Sequence, residues 1–133
     1  MSHPREDELV AAARSAHGNA YAPYSQFHVG AAVLASSGVI YAGANVESAS
    51  YPVGICAERS AIAAAASAGE RRIEAVAIVT DTDDPVCPCG MCRQMIRATL
   101  ELELVEESIE DFFAGLVEAV VYRLLFLPFP AGV

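Results

Sequence analysis

The spacing of apolar and polar positions along the 133-residue chain changes several times, and each change marks an element. Residues Glu6 to Ala16 set Leu9, Val10 and a series of alanines among acidic positions, the composition of an amphipathic helix. The stretch AYAPYSQ follows, where Pro23 and Ser25 predict a loop. Phe27 to Leu34 (FHVGAAVL) and Val39 to Gly43 (VIYAG) flank Ser36-Ser37-Gly38, which predicts a hairpin of two strands, both uncharged enough to be buried. Asn45 to Gly54 is polar and carries a proline and a glycine, so it is expected as a loop feeding a helix from Cys56 to near Gly69, where glycine marks the helix end. Ile73 to Thr80 (IEAVAIVT) is β-branched and uncharged after Glu74, and predicts a third strand. Asp81 to Pro88 is turn-rich, and Pro88-Cys89-Gly90 opens a further helix running to about Leu100, with proline in its favoured first turn.

Two successive strand-to-helix transitions, each with a cysteine at the helix start, imply crossovers on one sheet. Right-handed crossovers place both helices on one face with both N-termini at one edge, so residues distant in sequence meet there. Beyond this, Leu100 to Val105 alternates like a strand, and Ile109, Phe112, Phe113, Leu116, Val117 and Val120 follow helical spacing from a Ser108 cap. The chain length suits one domain over residues 1–133, able to bury close to ~70% of its unfolded surface.

Composition narrows the function. The net charge of -9, with eight arginines and no lysine, disfavours a phosphate backbone as partner and excludes both a P-loop lysine and Schiff-base chemistry. An uncharged small molecule fits better than nucleic acid. Apolar residues make up 54% of the chain, which suggests surface buried between subunits, although alanine supplies much of the excess. The longest charge-free apolar run, Val29 to Val46, is broken by serines, glycines and an asparagine and falls short of the ~20 apolar residues of a membrane span. The acidic start MSHPREDELV lacks the pattern of a signal peptide, so the expected location is cytoplasmic, with reduced thiols.

The four cysteines carry the chemistry. Cys89 and Cys92, three apart at a helix start, place two sulfurs on one face, close enough to share one tetrahedral ion. Helix N-termini favour the thiolate form that binds metal. Cys56 at the other helix start offers a third ligand, and a soft thiolate set points to zinc. Three protein ligands leave the fourth position open, as in catalytic zinc sites, whereas a structural site is closed. Glu58, two residues past Cys56, is placed to exchange protons with a water activated there.

The pair Cys56-Ala57-Glu58 in GICAERSA and Pro88-Cys89-x-x-Cys92 in CPCGMCRQ resembles the cytidine deaminase family. The likeness extends through AYAPYSQFHVGAAV and NVESASYPVGICAER, roughly Val10 to Arg97. It implies a three-layer α/β/α fold around a central mixed β-sheet and one zinc ion per subunit on Cys56, Cys89 and Cys92. It further implies Glu58 as proton shuttle and hydrolytic deamination of cytidine and 2′-deoxycytidine to the uridines and ammonia, in pyrimidine salvage. Cysteine in place of histidine before Ala-Glu is similar to members that act on free nucleosides, usually homotetramers. By the same resemblance Phe27 forms an aromatic wall against the base, Asn45 and Glu47 clamp ribose hydroxyls, the Ala57 N–H meets the pyrimidine carbonyl, and Ala49 and Tyr51 reach a neighbouring subunit's site. Arg59 is expected to donate to ligand sulfurs, drawing charge from a centre whose three thiolates and dication sum to minus one.

Two features depart from the family pattern. Cys87 stands where a non-ligand residue is usual, and is read as a spare thiol or as a fourth ligand that would close the site. The segment LLFLPFPAG is similar only loosely to the family's Leu-Leu-Pro-x-x-Phe ending, with Phe129 directly after Pro128. Alternatives are a deaminase for a related amino-pyrimidine nucleoside such as blasticidin S, or a non-catalytic zinc-stabilised module. His3, His17 and His28 show no ligand spacing.

Overall fold

Glycine and alanine decide how closely the layers of this protein approach. In the computed structural model, which describes residues 4–82, 86–99 and 124–128, helix α1 (Glu6–His17) opens with three acidic residues and ends with Arg14 and His17, each sign favourable to its end of the helix dipole. Strands β1 (Val29–Ala35) and β2 (Ile40–Ala44) form the expected hairpin, paired from Gly30↔Ala44 to Leu34↔Ile40. Gly38 takes φ +90° at its turn, a left-handed conformation that suits glycine. A single 3₁₀ turn (Tyr51–Val53) leads to α2 (Ala57–Ser67), then β3 (Ile73–Thr80), α3 (Gly90–Thr99) and β4 (Leu124–Pro128).

The sheet order is β2-β1-β3-β4. β1 runs antiparallel to β2 and β3, and β4 runs parallel to β3, so the sheet is mixed as expected. Side chains alternate along the strands, and the two faces collect different partners. On one face, Ala31, Val33, Val76 and Ile78 pack with Ala61 and Ile62 of α2 and Ile96 of α3. On the other, Ala32, Leu34, Ala77 and Val79 pack with Leu9 and Ala13 of α1. The result is three layers, with α2 and α3 sharing a face as the crossover argument requires.

Two glycines set the helix distances. A Cβ on Gly30 would lie 2.0 Å from the Ala13 carbonyl oxygen, and one on Gly43 would lie 2.4 Å from the Ala61 nitrogen, so each helix rests directly on strand backbone.

Two expectations need correction. β2 is only half buried, because among the described residues it is the sheet's edge strand with one neighbour, and its Ala42, Gly43 and Ala44 offer little side chain to cover. The apolar run Leu124–Pro128, read only as a terminal motif, forms the fourth strand; a parallel strand needs no polar alternation to betray it. The strand expected at 100–105, the helix expected at 109–120 and Phe129 lie outside the described residues. Among the described residues, no helix is long and apolar enough to cross a membrane.

Candidate active site

The loop between β2 and α2 is held at both ends before any functional side chain is placed. The Tyr21 N–H donates to the Asn45 carbonyl (2.9 Å), the Glu47 N–H donates to the Tyr21 carbonyl (2.8 Å), and Val46 and Ile55 exchange two bonds of 3.0 Å. Asn45 then ties this loop to the start of β1: its Nδ2 donates to the Phe27 carbonyl (2.8 Å) and its Oδ1 accepts from the Val29 N–H (2.8 Å). Glu47 accepts from the N–H groups of Tyr24 (2.9 Å) and Ser25 (3.1 Å) through Oε2, and from the Ser25 hydroxyl through Oε1. Those bonds hold its carboxyl below the usual range, the Ser25 hydroxyl most of all, against the opposing pull of burial.

Cys56 and Cys89 occupy equivalent positions at their helices. The first helical bonds run from Ser60 to the Cys56 carbonyl (3.0 Å) and from Arg93 to the Cys89 carbonyl (2.9 Å), so each cysteine stands at a helix N-cap. Their sulfurs lie 3.8 Å apart, and the Cys89 and Cys92 sulfurs lie 3.4 Å apart. Tetrahedral zinc with Zn–S bonds of about 2.3 Å separates its sulfurs by about 3.8 Å, so the donor set fits that ion in chemistry and spacing. Among the described residues this is the one metal-competent cluster, and Cys87 is not part of it. Cys87 is exposed.

The thiols share their protons unequally. A hydrogen bond from Cys92 outweighs burial and, with Arg59 and Cys89, lowers Cys56 to about 5. The same bond pushes the Cys92 thiol up, reinforced by burial and by the charge of Glu58. Of these thiols, Cys56 is thus the one whose surroundings favour ionisation.

Glu58, in the first turn of α2, is buried at 6% exposure. Burial raises its pKa, and the Cys56 charge adds to that rise, while its own N–H and the Cys92 thiol pull the other way. A carboxyl in this state holds a proton more readily than a solvated one, which suits it to general acid–base work. Arg59 donates to the Gly54 carbonyl through Nη2 (3.5 Å). Burial works against its charge, but hydrogen bonds to the Cys56 and Cys92 sulfurs more than offset this and raise its pKa.

These groups face a cavity of about 520 Å³. Its wall includes Phe27, Asn45, Glu47, Ala57, Glu58 and Arg59, with Cys56 and Cys89 at one end. Cys87 and Tyr51 also reach it, whereas Ala49 sits on the exposed loop outside the lining. Tyr51 is 92% exposed, far from the burial of an ordinary packing residue. Sequence reasoning missed Ser25, Ile78, Thr80 and Met91, which also line the cavity. Ile78 and Thr80 were legible as strand but not as site, since nothing local says which strand end faces a pocket.

His17 and His28, which carry no ligand spacing, meet at Asp81 on the edge of this region. Asp81 Oδ1 lies 2.7 Å from His17 Nε2, and Oδ2 lies 2.9 Å from His28 Nδ1 and accepts the His28 N–H at 2.7 Å. The carboxylate joins the end of α1, the residue before β1 and the end of β3.

Residues 4–105 match the model of the cytidine and deoxycytidylate deaminase zinc-binding region. A cytidine deaminase of Sporosarcina psychrophila is 50% identical over 90 residues, covering 68% of this chain and 66% of the relative. One of Halalkalibacterium halodurans is 50% identical over 88 residues, covering 66% of this chain and 67% of the relative. The matched stretch thus spans about two thirds of the length of these relatives. The crystal structure of a cytidine deaminase from Burkholderia pseudomallei superimposes with a TM-score of 0.68 at 44% identity, over 74% of this chain and 77% of the other.

Proposed function

The chain belongs to the cytidine and deoxycytidylate deaminase family, and on that premise we propose that it hydrolyses cytidine and 2′-deoxycytidine to uridine and 2′-deoxyuridine, releasing ammonia. Zinc, when held by Cys56, Cys89 and Cys92, supplies a Lewis acid that brings the pKa of water from 15.7 toward about 7. The protein's own groups do the rest. Phe27 stacks against the base. The N–H of Ala57 precedes the first intrahelical bond of α2, so it is free of a helical partner and meets the pyrimidine carbonyl.

Glu58 moves the protons. It takes one from the water whose oxygen bonds to the amino-bearing carbon and gives it to the adjacent ring nitrogen, then passes the remaining hydroxyl proton to the amine as the C–N bond breaks and ammonia leaves. Asn45 spends only one donor and one acceptor on the β1 backbone, and Glu47 has one acceptor position left, so both keep capacity for sugar hydroxyls. Arg59 withdraws charge from the sulfurs.

The assembly is part of the proposal. Tyr51, Val53, Tyr24 and Met91 are between 61% and 92% exposed, and all but Val53 line the cavity. An apolar rim of this kind suits cover by a second copy, which supports a homotetramer with Ala49 and Tyr51 reaching a neighbour's site. Sedimentation at micromolar concentration checks it, with a monomer as the refuting result. A cytoplasmic location is supported by four free thiols, which persist in a reducing compartment.

The observation that carries the reading is a buried carboxyl, Glu58, in the wall of the same cavity as Cys56 and Cys89, two of the three sulfurs at zinc-binding spacing. A structural zinc module has no use for it. The test follows the loss of cytidine absorbance with zinc-loaded protein, with Glu58→Gln as control and blasticidin S as competing substrate. Turnover of cytidine that falls by about 10²–10⁴ in the control is expected. Absent turnover, equal turnover in the control, or preference for blasticidin S overturns the reading.

A further inference from the structure

We propose that Ser25 is a positioning residue that fixes the Glu47 carboxylate and the Phe27 backbone as one unit, and so sets how strongly the enzyme selects for a substrate's sugar hydroxyl. The proposal rests on the reading of Glu47 as a sugar-hydroxyl acceptor. Its basis is how few hydrogen-bonding choices remain at this corner of the cavity. The Ser25 hydroxyl donates to Glu47 Oε1 and accepts the Phe27 N–H at 3.1 Å. A hydroxyl has a single proton, so this one is committed to Glu47 and is not available to a substrate. Ser25 therefore acts through its neighbours and not by touching the nucleoside.

Glu47 Oε2 already accepts two backbone N–H groups, from Tyr24 and Ser25. Each carboxylate oxygen has about two acceptor positions, so the position left over is on Oε1, the oxygen that Ser25 engages. The Ser25 hydroxyl thereby dictates which lone pair of Glu47 is open to a ligand. Between the two anchored residues, Gln26 holds φ +55°, a left-handed conformation that a non-glycine residue keeps only when its surroundings impose it. The turn is imposed from both sides: the Gln26 N–H donates to the Ala22 carbonyl (3.0 Å), and the Ser25 hydroxyl closes over to Phe27. Aromatic wall and carboxylate are thus set by one side chain.

The experiment compares cytidine with 2′,3′-dideoxycytidine, which lacks the hydroxyls, on zinc-loaded wild type, Ser25→Ala, Ser25→Thr and Glu47→Gln. Ser25→Ala is expected to raise KM for cytidine about tenfold with a much smaller change in kcat, the size of one lost hydrogen bond to a charged group. For the dideoxy substrate, which feels only the loss of the Phe27 anchor, the same variant loses several-fold less in kcat/KM than for cytidine, and Ser25→Thr, which keeps the hydroxyl, retains discrimination. Equal losses on both substrates mean a merely structural role and overturn the proposal, as does full discrimination in Ser25→Ala. If Glu47→Gln compresses the discrimination and Ser25→Ala does not, only the Ser25 proposal falls. If Glu47→Gln leaves it intact, the Glu47 reading fails and takes the proposal with it.

Discussion

Replacing Arg59 by glutamine tests whether the guanidinium tunes the sulfur cluster or merely decorates the helix. Arg59 stands close enough to Cys56 that its charge and donor groups are among the causes that bring Cys56 to about 5, and the Cys56 and Cys92 sulfurs in turn raise Arg59. Metal binds thiolate only, so at Cys56 protons compete with zinc below that pH and not above it, whereas the raised Cys92 must give up its proton at either pH. Losing an adjacent opposite charge raises a pKa by about one unit or more, taken here at the low end because the site is partly open to solvent. At pH 5 wild-type Cys56 is about half ionised and the variant about a tenth, a ratio of about fivefold; at pH 8 both are fully ionised. Zinc affinity, measured by competition with a chromophoric chelator, is therefore expected to fall about fivefold more at pH 5 than at pH 8 in Arg59→Gln. Turnover at pH 8 should fall as well, because charge returns to a centre that is already net negative. An equal effect at both pH values, or unchanged affinity and turnover, refutes the reasoning.

Three further outcomes follow from the geometry. Cys87→Ser should leave one zinc per subunit and full deamination, since Cys87 is exposed and outside the sulfur cluster; lost zinc by elemental analysis refutes the three-ligand assignment. Burial tends to raise Asp81, but the His28 N–H and the two imidazoles outweigh it and hold the carboxyl below its usual value. Its folded pKa is depressed, so its stabilisation is present above the unfolded value of about 3.9 and is lost as pH falls through the folded one. Asp81→Asn should lower Tm at pH 7 and flatten the Tm profile below about pH 4; an unchanged profile refutes the clamp. Ile96 is fully buried against α2 and the sheet, so Ile96→Ala should cost about 2–5 kcal/mol in denaturant unfolding, and a loss under 1 kcal/mol would show that α3 is not anchored there.

Local pattern revealed what depends on local sequence. The helix from Glu6, the strand Ile73–Thr80 and the cysteines at two helix starts follow from periodicity, capping and spacing, all properties of neighbouring residues. What escaped depends on partners. β2 was expected to be buried because it is as free of charge as β1, but among the described residues β1 has a strand on each side and β2 has one on one side only. Leu124–Pro128 carries no period, and only its pairing with β3 makes it a strand. Asn45 and Glu47 were expected near the site by resemblance and do line the cavity, yet their bonds to the Phe27, Val29, Tyr24 and Ser25 backbone were not legible, because those contacts close across loops some 16 to 23 residues apart. Ser25 was read as a loop marker for the same reason.

The alanine-rich body of α2 and the reactive groups at its start are one structural solution. Cys56 meets Cys89 only if α2 and α3 descend to the same depth on the sheet, and α2 reaches that depth because Gly43 presents bare backbone to Ser60 and Ala61. A larger side chain at either point would lift the helix by ångströms, while the sulfur spacing tolerates only tenths. Burial of Glu58 depends on the same approach, since Ala57, Ala61 and Ala65 pack α2 to the sheet on either side of it. The raised affinity of that acid for its proton is thus a consequence of helix-to-strand distance, and the small residues that look chemically empty set the reactivity of the one that is not.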